Sequence, residues 1–226
     1  MPYEIYFLPV GDGSRAGDSI LVRYGDPAAP SLMVIDGGNQ ASGEAMVDFL
    51  YGLNGGHMPL VHDLLVSHPD ADHASGALEV LKSVEVLRVH THRPWRHASN
   101  VATHCVDLRR TENGIRDQLI EECPFVFSLV AEANQRGIPV FEPFQGAAVG
   151  PFWVMSPHLE DYPLLLAEML DMDPWRAQQQ QLGEGLTKAF GGVSTLAAQV
   201  LERWGLETLR DGGQTSARNE MSTVLY

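Results

Sequence analysis

The chain has 226 residues, a net charge of -14 and a 44% hydrophobic fraction, values that suit one globular domain with ample chain for a core. No apolar run approaches the roughly 18 residues of a membrane span, and Met1-Pro2-Tyr3-Glu4 lacks the basic and apolar regions of a signal peptide, so a cytoplasmic protein without a membrane partner is expected. The acidic balance argues against a broad phosphate-binding surface, and the two cysteines, Cys105 and Cys123, follow no metal spacing and are too few for a disulfide framework.

Tyr3 to Pro9 alternates and is rich in β-formers, and Ser19 to Tyr24 and Leu32 to Ile35 have the same character. The Gly11 to Asp18 loop and the Asp26 to Pro30 turn separate these runs, so a β-meander is predicted. Met46, Val47, Phe49 and Leu50 give Gly43 to Leu53 an amphipathic helical face, closed by Asn54-Gly55-Gly56. His62 to Ser67 then predicts a strand, Ala74 to Leu81 a helix and Val84 to Val89 another strand. That alternation argues for an α/β (α+β) sheet covered by helices.

The loop His90-Thr91-His92-Arg93-Pro94-Trp95-Arg96-His97 leaves the sheet at the same end as His68, which makes His92, Arg93 and Arg96 candidate substrate contacts. A surface loop with Trp95 packed on the core edge is the competing reading. Arg88, Arg93, Arg96, Arg109, Arg110 and Arg116 share one window with His90, His92, His97 and His104, while Lys82 and Lys188 are the only lysines. A preference for arginine suits bidentate anion contacts; pairing of half of these arginines with local Glu and Asp on a solvated helix is the alternative.

Asn113 to Arg136 predicts one long helix, or two broken near Cys123-Pro124, with Gly137 where a C-terminal glycine belongs. Ile138 to Phe141 and Phe152 to Met155 resume strand character. Pro163 to Leu209 is helical by composition. With Gln178 to Gln181 and Gly183, Gly185, Gly191 and Gly192 as joints, residues 160–210 read as a mostly helical insertion within a domain spanning 1–226. Asp211-Gly212-Gly213 is a turn, and Thr223 to Tyr226 starts a last strand.

The densest chemistry lies where the strand ending at Ser67 stops: His68-Pro69-Asp70-Ala71-Asp72-His73 places four metal-ligand side chains within six residues. Pro69 fixes φ and removes a donor there, so the chain must turn out of the sheet and project all four side chains from one loop. His68 and Asp70 can serve one point and Asp72 and His73 a second, at the separation of about 3.5–4 Å used by two-metal hydrolytic sites. A solvated turn with Asp72 as a helix N-cap is the alternative, and it explains one residue of the four.

This pattern after an apolar strand, with Gly76 following, resembles the metal-binding motif of the metallo-β-lactamase superfamily. Its Ser-His-Pro-Asp form, with Asp in the second ligand position, is most similar to the competence-protein (ComEC-like) DNA-uptake nuclease branch. Gly17-Asp18-Ser19-Ile20-Leu21-Val22, Leu32-Met33-Val34-Ile35-Asp36-Gly37-Gly38 and Asn219-Glu220-Met221-Ser222-Thr223-Val224-Leu225 resemble further strands of that family in order and spacing. The resemblance implies the N-terminal portion of an αββα sandwich. It also implies a metal-dependent hydrolase, a phosphodiesterase or nuclease, in which two divalent ions, Zn or Mn, activate a hydroxide. His68 and Asp70 would hold the first ion and Asp72 and His73 the second. Asp72 would also orient the attacking water as the catalytic residue, and Asp36 would hydrogen-bond the motif loop in support. Asp70 replaces the commoner His, which makes the site harder and more anionic and Mn²⁺ as suitable as Zn²⁺. Ser156-Pro157-His158 stands where many members place a third His ligand. Its glycine is missing, so His158 is expected to be a loop histidine and a candidate substrate contact.

The family's late Gly-Asp, whose carboxylate bridges the two ions, and its final His lie beyond a strand like Thr223 to Tyr226. The resemblance therefore implies a domain lacking its C-terminal part: a fragment, a split protein, or a degenerate member. Asp107, Asp117, Asp161, Asp171, Asp173 and Asp211 sit in helical or turn contexts, so the chain alone is expected to be inactive. The expected partners are a phosphodiester or other small anionic substrate, with nucleic acid disfavoured by the net charge, and a partner chain or C-terminal segment that completes the fold. Hydrolysis of a small ester, lactone or amide at the same site, or a non-catalytic binding or regulatory role, remains open because fold does not settle substrate.

Overall fold

In the computed structural model, which describes residues 3–11, 17–104, 110–172 and 217–226, the N-terminal alternation forms the meander it predicts. Strands β1 (Tyr3–Phe7), β2 (Ile20–Asp26) and β3 (Ala29–Ile35) pair antiparallel, with Ile5 opposite Val22 and Leu21 opposite Val34. From β3 onward the pairing is parallel, which requires crossovers. Helix α1 (Gln40–Leu53) leads to β4 (Leu60–Leu65), and α2 (Ala71–Ser83) leads to β5 (Glu85–His90). Helices α3 (Ala98–His104), α4 (Glu112–Glu122) and α5 (Pro124–Gln135) lead to β6 (Val140–Phe141). The result is a six-stranded mixed sheet in the order β1-β2-β3-β4-β5-β6.

A second sheet of β7 (Ala148–Val149), β8 (Phe152–Ser156) and β9 (Val224–Leu225) is antiparallel. Strand alternation divides the core between the two faces of the large sheet. Val34 and Leu64 lie with Met46 and Leu50 of α1 and Ala77 and Leu81 of α2. Met33 and Leu65 lie with Val22, Val149 and Val154, between the sheets. The described layers are thus helices, large sheet and small sheet. On the far side of the small sheet Trp153, Met155, Val224 and Tyr226 are exposed.

The expected break at Cys123-Pro124 separates α4 from α5, and Gly137 closes α5 at φ 69°, with Ile138 N–H donating to the Ala133 carbonyl at 2.8 Å. Two elements lack a sequence pattern long enough to announce them. The predicted loop over 90–97 contains a 3-10 turn, Pro94–His97, that runs straight into α3, and β7 is only two residues long. Trp95 is buried, edge-on to Phe127 at 5.1 Å. Of the predicted helical segment, α6 (Tyr162–Met169) is described and packs Leu166 and Ala167 into the helix-side core. A short α7 (Ala217–Glu220) precedes β9. Residues 173–216 lie outside the described residues, with the Gln run, the glycine joints, Asp173 and Asp211, as do Cys105, Asp107 and Arg109. No described helix is long and apolar enough to cross a membrane.

Candidate metal centre

The parallel strands end together, and their C-terminal ends carry the chemistry, the edge at which open α/β sheets commonly bind ligands. Asp36 follows β3, Ser67 and His68 follow β4, and Asp70, Asp72 and His73 open α2. Helix α2 starts at Ala71, three residues before the predicted start, so Asp72 lies in its first turn and is not its N-cap. Asp70 takes the cap position, and its side chain makes no capping hydrogen bond.

Asp36 is buried and adopts φ 56°, a left-handed conformation that a non-glycine residue holds only where its surroundings over-determine it. They do so here. Asp36 N–H donates to the Leu65 carbonyl at 2.8 Å, and Gly37 N–H to the His73 carbonyl at 3.0 Å. The Asp36 carboxylate accepts from Ser67 N–H at 2.7 Å, from the Ser67 hydroxyl at 2.5 Å and from His73 Nδ1 at 2.9 Å.

These bonds fix two tautomers. A carboxylate only accepts, so His73 must carry its proton on Nδ1. The Ser67 hydroxyl has one hydrogen, spent on Asp36, so at 3.0 Å it accepts from His68 Nδ1–H. Both imidazoles are left with Nε2 lone pairs, and the rings lie 3.8 Å apart between centroids. Burial, with some help from His73, pushes the His68 pKa down and keeps that ring neutral. Burial pulls His73 down too, but its hydrogen bond to Asp36 and the charges of Asp36, Asp72 and Asp18 outweigh it, so the net shift is upward.

Asp36, His68 and His73 offer ligand atoms within 4.8 Å of one another. Both Asp36 oxygens already accept hydrogen bonds, so Asp36 is better suited to holding the two rings than to ligation. Asp70 lies with His68, its Oδ2 3.9 Å from His68 Nε2. Two donors each about 2.1 Å from a shared ion are at most about 4.2 Å apart, so that separation is within reach of one ion. Imidazole nitrogens and carboxylates with fixed tautomers are a donor set that fits Zn²⁺ or Mn²⁺.

The other residues singled out from sequence lie in different environments. His92 is 5% exposed, packed against the Phe144 and Tyr162 rings at 4.6 and 4.9 Å, and its Nε2 lies 3.3 Å from Thr223 Oγ1. Burial, despite the pull of Glu142, pushes its pKa down to about 3. Arg93 is paired with Glu142 at 3.2 Å, and Glu142 also receives His97 at 3.0 Å. Burial would raise Glu142, but His97 and Arg93 bring it down to about 2. Arg96 and His158 are exposed.

Sequence reasoning missed three contributors. Ser67 was visible only as the neighbour of His68. Thr223 donates its N–H to the Ser67 carbonyl at 2.9 Å and so ties the last strand to the motif loop. Asp63, buried on β4, takes Arg88 at 2.8 and 2.9 Å, His90 at 2.8 Å and Tyr24 at 3.2 Å. Burial raises its pKa, but the bonds from Arg88 and His90 outweigh that and hold it far below the usual carboxylate range. Arg88 and Arg93 are thus paired with acids, but with ones distant in sequence and on neighbouring strands and loops rather than with local Glu and Asp on a solvated helix.

The chain matches no protein-family model and no curated protein. Among solved structures it is similar to the hydrolase AbOPH of the β-lactamase superfamily, at 16% identity and a TM-score of 0.36, over 61% of this chain and 46% of that one. It is also similar to a protein of Thermotoga maritima described as a metallo-β-lactamase, at 12% identity and a TM-score of 0.36, over 68% of this chain and 65% of that one. The match spans less than two thirds of either protein's length.

Proposed function

We propose that the chain is a metal-dependent hydrolase of the metallo-β-lactamase kind, acting on phosphodiesters. The observation that supports this best is the double use of Asp36: one buried carboxylate, with Ser67 as its relay, leaves both His68 and His73 with Nε2 free for an ion. In this reading His68 and Asp70 hold one divalent ion and Asp72 and His73 another, and Asp72 orients the attacking water. Bound ions of this kind lower the pKa of water and polarise the oxygen under attack.

The substrate class follows from charge. A net charge of -14 disfavours a long polyanion. Arg88 and Arg93 are neutralised by Asp63 and Glu142, whereas Arg96 is exposed on the turn after β5. A small phosphodiester suits that balance better than duplex nucleic acid, with the ComEC-like nuclease branch as the nearest resemblance in sequence.

The test is hydrolysis of bis(p-nitrophenyl) phosphate and of p-nitrophenyl acetate by the purified chain with added Mn²⁺ or Zn²⁺. Phosphodiester cleavage that needs the metal and disappears in His68→Ala is expected. Cleavage of the acetate alone would move the substrate to carboxylic esters, and turnover of neither with either metal would contradict hydrolysis by this chain alone, as expected if a C-terminal segment or partner chain must complete the site.

A further inference from the structure

Asp63 lies opposite Met33 on the face of the large sheet that meets the small one, and beside it the two sheets part into a cleft of about 360 Å³. That volume lies within the roughly 300–1,000 Å³ of small-molecule sites. Tyr24, Arg88, His90 and Phe141 line the cleft from one side, and Val149 and Gly150 from the other. Asp63 is 1% exposed, and its oxygens accept from Arg88 Nε and Nη2, His90 Nε2 and the Tyr24 hydroxyl. Those bonds fill its lone-pair sites, so Asp63 holds its neighbours rather than a ligand. What the neighbours keep is unspent. Arg88 is used from the side, which leaves both hydrogens of Nη1 and one of Nη2, a second parallel pair on a side chain 45% exposed. His90 donates from Nε2, so Nδ1 of the neutral ring is an acceptor. No hydrogen bond among the described residues uses Arg88 Nη1 or His90 Nδ1. Phe141 lies 5.7 Å from the His90 ring, 27° from parallel, and is exposed. Neutralising a buried carboxylate takes one cation, which Arg88 supplies; a free fork, an acceptor and a ring around one cleft are more than that role requires.

We propose that this cleft is a second binding site, which takes a guanine base and needs no metal. The charges of Asp63 and Arg88 cancel and the chain carries -14, so the cleft favours a neutral group with two adjacent acceptors over an anion. Guanine presents N7 and O6 side by side, the pair an arginine fork reads. Its N1–H stands next to O6 and suits the His90 acceptor, and its flat ring suits Phe141. Adenine puts an amino donor where the fork needs an acceptor. Asp63 and Tyr24 are positioning residues here: Asp63 fixes the plane of the Arg88 fork and the tautomer of His90, and Tyr24 fixes Asp63.

The experiment is calorimetric titration of the full chain, kept metal-free with EDTA, with GMP, AMP and ribose 5-phosphate. GMP should bind at least about fivefold more tightly than AMP, the low end of what one bidentate base contact discriminates, and ribose 5-phosphate should bind no better than AMP. Arg88→Lys keeps a cation beside Asp63 but removes the fork, so it should abolish the preference for GMP over AMP. Phe141→Ala should weaken GMP at least about fivefold, the low end for a base stacked on an aromatic ring. Its thermal unfolding should match wild type, because the ring is exposed, so it carries the test even if Arg88→Lys does not fold. No binding of GMP would overturn the proposal, as would equal binding of GMP and AMP, ribose 5-phosphate binding as tightly as GMP, or wild-type GMP affinity in Phe141→Ala.

Discussion

Ser67 does more at this site than its chemistry suggests. Its hydroxyl donates to Asp36 and accepts from His68, and its N–H and carbonyl engage Asp36 and Thr223. Ser67→Ala leaves His68 free to flip its tautomer, so metal affinity should fall about 10- to 100-fold, the usual cost of losing a support behind a ligand. Unfolding free energy should fall by about 1–2 kcal/mol, and competition with a chromophoric chelator beside denaturant unfolding separates the two effects. His92 makes a different prediction. Its folded pKa of about 3 lies below the unfolded value of about 6.5, so the unfolded chain takes up the proton first as pH falls. Its contribution to stability is whole above about pH 6.5 and shrinks by up to about 1.4 kcal/mol per pH unit below it. Glu142 and Asp63, both depressed, act in the same direction only below about pH 4.5. Between about pH 6.5 and 4.5, then, His92→Phe should reduce the loss of stability measured by denaturant unfolding; His68, whose pKa is also lowered, acts in the same sense as His92, and His73, whose pKa is raised, in the opposite one. An unchanged slope would count against a neutral, buried His92. The run His68-Pro69-Asp70-Ala71-Asp72-His73 stands out in sequence because its candidate ligands follow one another at the end of one strand. The partners of Ser67, Asp63 and Thr223 could not be read there, because they lie on neighbouring strands and come together only once the register is set.

At the scale of elements, the position of α2 decides the geometry of the centre, and three glycines set it. A Cβ on Gly76 would lie 2.0 Å from the Gly37 carbonyl oxygen, one on Gly37 2.0 Å from Ala77 N, and one on Gly43 2.4 Å from the Gly76 carbonyl oxygen. Each contact is backbone against backbone, so no rotamer relieves it. Gly76→Ala should therefore cost about 3 kcal/mol or more, beyond the usual 1–3 of overpacking, and should weaken metal binding by shifting His73 away from Asp36. Wild-type stability and affinity in that variant would show that α2 can move. Periodicity made most elements legible: alternation for β1 to β3, the apolar stripe for α1, and the Pro124 break between α4 and α5. It placed the start of α2 too late because its first turn is the polar motif itself, which carries no apolar stripe. It passed over α3 because a seven-residue helix after a His- and Arg-rich turn shows less than two turns of pattern.

On the scale of the whole molecule, the large sheet is covered by helices on one face and by three short strands on the other, while Tyr3, Ile5 and Phe7 share the face of Val22 yet stay exposed. The sheet order and the two cores follow from strand alternation, but the pairing of β9 with β8 joins residues about 70 positions apart and no local pattern announces it. That pairing brings Thr223 to the motif loop, so the last strand buttresses the centre from behind. The central claim is that one loop, held by Asp36, binds divalent metal. Elemental analysis of the purified chain loaded with Mn²⁺ or Zn²⁺ and then desalted tests it most directly, with His68→Ala and Asp72→Ala alongside. The account predicts bound metal in the wild type and most of it lost in both variants, with little change in unfolding midpoint, because the His68 and Asp72 side chains are only partly buried. Equal metal content in the wild type and both variants would contradict it.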